Sequence, residues 1–250
     1  MTEKLRVAIF DFACCEGCQL QIVNLEEEIL DLIGAVEVVE WREAMSEQSH
    51  NYDIAIIEGS ITRPEDEEKL WLIRSRAKIL IALGACATIG GINKLKNNFA
   101  LDDVKKCVYG KDANMPHLDT DFTKSVPEVV SVDYCIHGCP IDRKEFSYVV
   151  RSILVGKKPE IPIYPVCVEC KLKGNMCLWE AEQVCIGPII RAGCGARCPS
   201  SGFRCFGCRG YIDNPNVDAA KDVIERYGLD VEVLKRKMNL FGSKQVRTNG

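Results

Sequence analysis

Cysteine is the residue type that can do chemistry in this chain, and its spacing says what kind. Eight of the fifteen cysteines crowd into one stretch, as Cys167-x2-Cys170-x6-Cys177-x7-Cys185 and then Cys194-x3-Cys198-Pro199-x5-Cys205-x2-Cys208. A lone C-x-x-C pair means little. Two sets of four in close succession predict two metal centres, because four soft thiolates complete the shell of a zinc ion or of a 4Fe-4S cubane. Spacing alone leaves both metals open for these two sets.

A third set is dispersed. Cys15-Glu-Gly-Cys18 follows a strand-like run over 5–10, Cys86 follows the apolar run over 79–83, and Cys139 follows a strand expected over 129–134. In a doubly wound sheet the loops after the strands face the ligand crevice, so three loops distant in sequence bring four thiolates to one edge. Single cysteines drawn from far apart favour a cluster over zinc, whose structural sites come from paired knuckles. Cys14, Cys107 and Cys135 are left over. Cys107 and Cys135 are expected as small buried hydrophobes, and Cys14 is left open. His50, His117 and His137 are scattered and expected to pack rather than to ligate. Gly84-Ala-Cys-Ala-Thr-Ile-Gly90-Gly91 lacks dinucleotide spacing, and the chain has no P-loop and no Ser-His-Asp set.

The elements that must position these thiols are legible in periodicity. A helix is expected over about 17–33, with Ile22, Leu25, Ile29 and Ile33 on one stripe and Glu26, Glu27 and Glu28 on its solvated side. Strands are expected at 36–39, 53–57 and 79–83, the last two nearly continuously apolar, as strands covered on both faces are. Thr62-x-x-Glu65 predicts a capping box for a helix reaching about Ala77, and Asp142 caps a helix running to Gly156. Residues 94–127 read as an irregular insertion. The alternation predicts an α/β domain, a doubly wound and mostly parallel sheet.

Three prolines in 157–165 mark a boundary, so the domains are expected at 1–156 and 157–250. Residues 166–210 show almost no apolar periodicity, and burial alone would not offset the entropy of ordering them; inorganic cross-links would. Two short helices, at 217–227 and 232–240, are expected to pack beside them, before a frayed tail.

With 250 residues, 47% hydrophobic and 27% charged, the chain has globular composition. A net charge of -4 with interspersed signs gives no field to gather nucleic acid. No run approaches the ~20 apolar residues that span a bilayer, and neither a signal peptide nor a twin-arginine pair is visible, so a cytoplasmic location is expected. Disulfides do not persist in that compartment, which again points the thiols toward metal.

Taken together, Cys15-Glu-Gly-Cys18-Gln, Glu58-Gly-Ser60, Gly84-Ala-Cys86-Ala, Gly138-Cys139-Pro140, Cys167-Val-Glu-Cys170, Cys185-Ile-Gly-Pro188, Cys194-Gly-Ala-Arg-Cys198-Pro199 and Cys205-Phe-Gly-Cys208 resemble the small subunits of nickel-iron hydrogenases, especially the delta subunits of cytoplasmic sulfhydrogenases. The resemblance covers roughly residues 5–210. It implies a flavodoxin-like domain followed by a small irregular domain binding two iron-sulfur clusters. It further implies a proximal 4Fe-4S cluster on Cys15, Cys18, Cys86 and Cys139. A distal one would lie on Cys167, Cys170, Cys177 and Cys185, and a medial one on Cys194, Cys198, Cys205 and Cys208. The last two sets could exchange a member, since a cysteine before proline ligates the other cluster in some two-cluster proteins. The implied role is electron transfer between the NiFe centre of a separate large subunit and flavin or NAD(P)-binding, diaphorase-type and ferredoxin-like partners. No catalytic residue is expected in this chain.

There are departures from the family's periplasmic branch. Cys167 stands where that branch has histidine, Cys198 supplies a fourth thiolate to the medial set, and Cys14 replaces a glutamate. The tandem Cys14-Cys15 also resembles the 20 kDa subunit of NADH-quinone reductase, where adjacent cysteines both ligate. A respiratory subunit of that kind and a zinc-stabilised scaffold are the alternative readings.

Overall fold

Parallel pairing of apolar strands organises the N-terminal half of the chain. The computed structural model describes residues 4–110 and 120–241. The backbone divides into two compact units, Met1–Lys158 and Pro159–Gly250. In the first, β1 (Arg6–Asp11) leads to helices α1 (Gly17–Val23) and α2 (Glu27–Ala35), then β2 (Glu37–Trp41) and β3 (Ile54–Glu58). Next come α3 (Pro64–Arg76), β4 (Ile79–Leu83), α4 (Gly84–Ile89), α5 (Leu101–Tyr109), β5 (Tyr134–Ile136) and α6 (Arg143–Leu154). The strands form one five-stranded sheet in the order β2-β1-β3-β4-β5, every pair parallel.

The core follows from the two-residue alternation of strand side chains. Ala8, Phe10, Ala55, Ile57, Leu80 and Ala82 face one side and pack with Leu70 and Ile73 of α3. Val7, Ile9, Ile54, Ile56 and Ile81 face the other, opposite Ile22, Leu32, Phe146 and Ile153. β3 is buried along its whole length, which is why it reads as an unbroken apolar run.

Several elements differ from the expectations drawn from sequence. The helix expected over 17–33 is broken: Glu26 sits at φ 57°, and the guanidinium of Arg143, from α6, donates to the Asn24 carbonyl freed at the end of α1. Helix α3 starts at Pro64 and its N-cap makes no side-chain bond; instead the Asp66 carboxylate accepts the Thr62 N–H at 3.3 Å, so Thr62 and Glu65 form no capping box. A capping box does form at Ser125 and Glu128, ahead of a 3-10 turn (Val126–Glu128). The last strand begins at Tyr134 rather than Val129, because the Asp133 carboxylate takes the Leu80 N–H at 2.8 Å while Val129, Val130 and Val132 pack on the core as loop. Helix α5 and a 3-10 turn (Ile92–Asn98) give order to part of 94–127. Cys107, on α5, is exposed rather than buried, whereas Cys135 packs against the core. The Asp142 cap is present, its carboxylate accepting the Lys144 and Glu145 N–H groups. The expected tail and His117 lie outside the described residues.

The second unit contains α7 (Val166–Leu172), α8 (Arg197–Ser200), α9 (Val217–Arg226) and α10 (Val231–Met238). It has its own small core, in which Ile186, Ile189 and Ile190 meet Ala220, Ile224 and Leu234.

Asp53 ties the strand starts at the edge opposite the cysteines. Its carboxylate accepts the Arg6 N–H at 2.9 Å and pairs with Lys78 at 2.7 Å, and these bonds hold its pKa below the usual carboxylate value. A depressed carboxylate stabilises the fold above the unfolded-state pKa and loses that contribution as pH falls through the folded-state value. Asp53→Asn is expected to cost about 1 kcal/mol at pH 7. The difference should vanish on acidification below the carboxylate range, as read by urea denaturation across pH.

Candidate metal centres

The first group of thiols is built by the C-terminal ends of β1, β4 and β5. After β1 the chain turns through Cys14, Cys15 and Glu16, the last at φ 60°, and enters α1, which carries Cys18. The first N–H groups of a helix have no partner within it. Here Glu58, at the end of β3 and 2% exposed, accepts from the N–H of Cys18 and of Gln19, both at 3.0 Å. Gln19 is fixed in turn by Glu16 and by the Trp41 indole N–H, both at 2.7 Å.

Three glycines make room for sulfur. A Cβ on Gly84 would lie 2.3 Å from Cys18 Sγ, one on Gly91 3.1 Å from Cys86 Sγ, and one on Gly17 3.3 Å from Cys15 Sγ. The loop after β5 is held to the start of α4 by the Ala85 N–H donating to the Gly138 carbonyl at 2.6 Å, next to Cys139. Burial and the neighbouring thiols of Cys139 and Cys15 push the Cys86 thiol up to about 12. Burial and then Glu58 raise Cys18; burial and then Cys15 raise Cys139. The four expected residues are therefore brought together. Cys14 bonds differently: its Sγ lies 3.5 Å from a Glu16 oxygen, and Cys14, Glu16 and Glu58 have ligand atoms within 4.8 Å of one another.

In the second unit Cys167, Cys170, Cys177 and Cys185 line one cavity with Val166, Leu178, Trp179, Pro188 and Pro199. Cys167 and Cys170 share a face of α7 at i,i+3 spacing. Burial and then the thiols of Cys185, Cys170 and Cys177 push Cys167 up to about 12. Gly187 again leaves space, its absent Cβ lying 3.3 Å from Cys167 Sγ and 3.6 Å from Cys185 Sγ.

Cys194, Cys198, Cys205 and Cys208 form the third group. Cys205 is buried and raised well above an ordinary thiol by desolvation, with the Cys185, Cys208 and Cys194 thiols adding to it. Cys198 is raised by burial and then by Cys194. The Glu169 carboxylate, carried between Cys167 and Cys170, accepts the N–H groups of Gly193 at 2.8 Å and Ala196 at 3.0 Å and so shapes the turn bearing Cys194. Arg209, 1% exposed, donates to the Ala192 carbonyl at 2.6 Å. The Cys205 N–H lies 3.3 Å from Cys185 Sγ, joining this group to the preceding one.

The donor chemistry of all three groups fits iron-sulfur centres. Thiols crowded in apolar surroundings ionise only beside positive charge, which a bound cluster supplies, and N–H groups aimed at sulfur offset the remaining negative charge. Sequence reasoning passed over Glu58 and Glu169 as positioning groups. Each left a trace: an acid closing an otherwise apolar strand, and an acid inside a ligand pair.

Comparisons with known proteins point to hydrogenase subunits. The family profile described as NADH ubiquinone oxidoreductase, 20 Kd subunit, matches residues 15–153. The chain is 35% identical to sulfhydrogenase 2 subunit delta of Pyrococcus furiosus, across 95% of this chain and 99% of that protein. It is 33% identical to one subunit of the vhu F420-non-reducing hydrogenase of Methanococcus voltae, across 85% and 84% respectively. Among solved structures, a chain of an NAD+-reducing NiFe-hydrogenase superposes with a TM-score of 0.59 at 28% identity, covering 64% of this chain and 96% of that one.

Gly84→Ala adds a methyl group against Cys18 at a φ of +81°. It is expected to remove about four irons per chain, one cubane, while far-UV circular dichroism stays unchanged. Gly34→Ala, with nothing within 4 Å of the new Cβ, should leave iron content intact.

Proposed function

The chain belongs to the nickel-iron hydrogenase small-subunit family, and from that premise we propose that it is the electron-transfer subunit of such an enzyme, an oxidoreductase acting on hydrogen, and holds three 4Fe-4S clusters. Cys15, Cys18, Cys86 and Cys139 hold the proximal cluster, Cys194, Cys198, Cys205 and Cys208 the medial one, and Cys167, Cys170, Cys177 and Cys185 the distal one. When bound, the clusters supply one-electron stores that link the NiFe centre of the large subunit to a flavin or NAD(P)-binding, diaphorase-type or ferredoxin-like partner. The observation that carries the reading is that twelve of the cysteines fall in three groups of four, and that the one made by Cys167, Cys170, Cys177 and Cys185 lines a largely apolar cavity.

The residues of this chain hold, orient and insulate. Glu58 fixes the start of α1 so that Cys18 points into the first group. Glu169 sets the turn of Cys194, and the Trp179 indole N–H holds the Cys185 carbonyl at 2.9 Å. Val166, Leu178 and Pro188 keep water from the sulfurs of the second group, which lets N–H donors act on them at low dielectric. No acid or base of this chain need touch hydrogen.

Domains at 1–156, with the proximal cluster, and 157–250, with the other two, are the functional division we assign. No helix among the described residues is long and apolar enough to cross a membrane. A reducing cytoplasm is the compartment in which a dozen free thiols persist until iron reaches them. The 20 kDa-type ligand set would require Cys14 beside Cys15. The hydrogen bond from Cys14 to Glu16 and the retention of Cys18 in the first group favour the hydrogenase set.

Anaerobically reconstituted chain is expected to hold about twelve irons and about twelve sulfides and no zinc. Cys14→Ser should keep that content. Cys86→Ser in the holoenzyme should abolish most hydrogen-dependent methyl-viologen reduction while leaving the electron paramagnetic resonance (EPR) signals of the other two clusters; unchanged reduction would contradict the proximal assignment. Iron removal should speed amide exchange over 166–210 before the sheet, and equal protection with and without iron would count against clusters as the staples of that segment.

A further inference from the structure

Asn175 lies just past α7 and belongs to none of the cysteine groups. Its Nδ2 is 3.6 Å from Cys170 Sγ and 3.0 Å from Ser200 Oγ, and its backbone N–H donates to the Cys170 carbonyl at 3.2 Å. A metal-bound thiolate carries no proton and only accepts, so the NH2 end of the amide must face Cys170, and its second N–H goes to the Ser200 hydroxyl. Backbone and side chain thus register this amide against a single cysteine from two directions.

The cavity that receives the four sulfurs explains why one amide matters. Its other side chains are largely apolar, Val166, Leu178, Trp179 and Pro188 among them, and Lys171, also at the lining, is exposed, so that water screens its charge. The amide of Asn175 is half-buried beside these groups, so its bond to Cys170 is partly shielded from water and acts on that sulfur more strongly than a fully solvated donor would. On reduction the cluster takes up one electron from a neighbouring redox centre. No bond breaks, no proton moves, and the added negative charge spreads over iron, sulfide and the four thiolates. A hydrogen bond to one of those thiolates stabilises the more negative state more than the other and raises the reduction potential.

We infer that Asn175 sets the potential of the centre held by Cys167, Cys170, Cys177 and Cys185 through its N–H bond to Cys170, which rests on the ligand assignment proposed above. Asn175 is a positioning residue for electron transfer: it touches a ligand, not a substrate. Ser200 keeps the amide from rotating, and so carries part of the same effect from α8.

The test is a redox titration of the reconstituted full-length chain followed by EPR, with iron and sulfide measured on each sample. Asn175→Asp has the same shape but no donor, and Asn175→Leu has neither donor nor charge. Both are expected to keep full iron content and to shift one potential to more negative values, the other two staying in place. Asn175→Gln, which retains an amide, should restore part of the shift, and Ser200→Ala should give a smaller shift in the same direction. Full iron with all three potentials unchanged would overturn the inference. If Asn175→Leu fails to load, resonance Raman of the unmodified holo-chain decides: a change in Fe–S(Cys) stretching on D2O exchange that is lost in Asn175→Asp supports the bond, and its absence refutes it. Cys170→Ala, run alongside, must remove the signal that moves. Should that signal persist, the ligand assignment has failed rather than the part played by Asn175.

Discussion

A buried thiolate is costly unless positive charge stands beside it, and every group of cysteines in this protein is arranged around that constraint. Desolvation heads the causes that raise Cys18, Cys86, Cys167 and Cys205, and their neighbouring thiols add repulsion. Left to themselves these thiols keep their protons; holding iron, as proposed, they would hold electrons instead. The protein supplies the rest with groups that reinforce each ligand's position from behind: Glu58 under Cys18, Glu169 around Cys194, and the Cys205 N–H against Cys185.

The two units meet the constraint in different ways. In the first, a parallel sheet with apolar faces forms the platform, and the cysteines stand on loops at its rim, so the platform's stability comes from hydrocarbon burial. In the second, the core is a modest cluster in which Val184, Ile186, Ile189 and Ile190, from between the cysteines themselves, meet Ile224 and Leu234. On the proposed ligand assignment, folding and metal binding would be closely coupled in the second unit and nearly separate in the first.

The sheet and the ligand groups were legible because both leave strong local marks. β3 and β4 announce themselves as unbroken apolar runs, and the cysteines of residues 167–208 by their density alone. What stayed hidden depends on partners far along the chain. The break between α1 and α2 carries no glycine or proline and is stabilised by Arg143, 119 residues away from Asn24. The late start of β5 follows from Asp133 reaching the Leu80 N–H, 53 residues back. Cys107 looked like a core residue by type, yet its helix has no buried face. Asn175 is an ordinary loop asparagine until the fold sets Cys170 and Ser200 around its amide.

The contact between the Cys205 N–H and Cys185 Sγ makes the second and third groups immediate neighbours. On the proposed assignment, two clusters held so close would repel each other's charge once either took an electron. An electron on one would make the other harder to reduce, so their titration would belong to the pair and not to either alone. A chain wired this way would pass charge one unit at a time and resist holding two, which suits a conductor better than a capacitor.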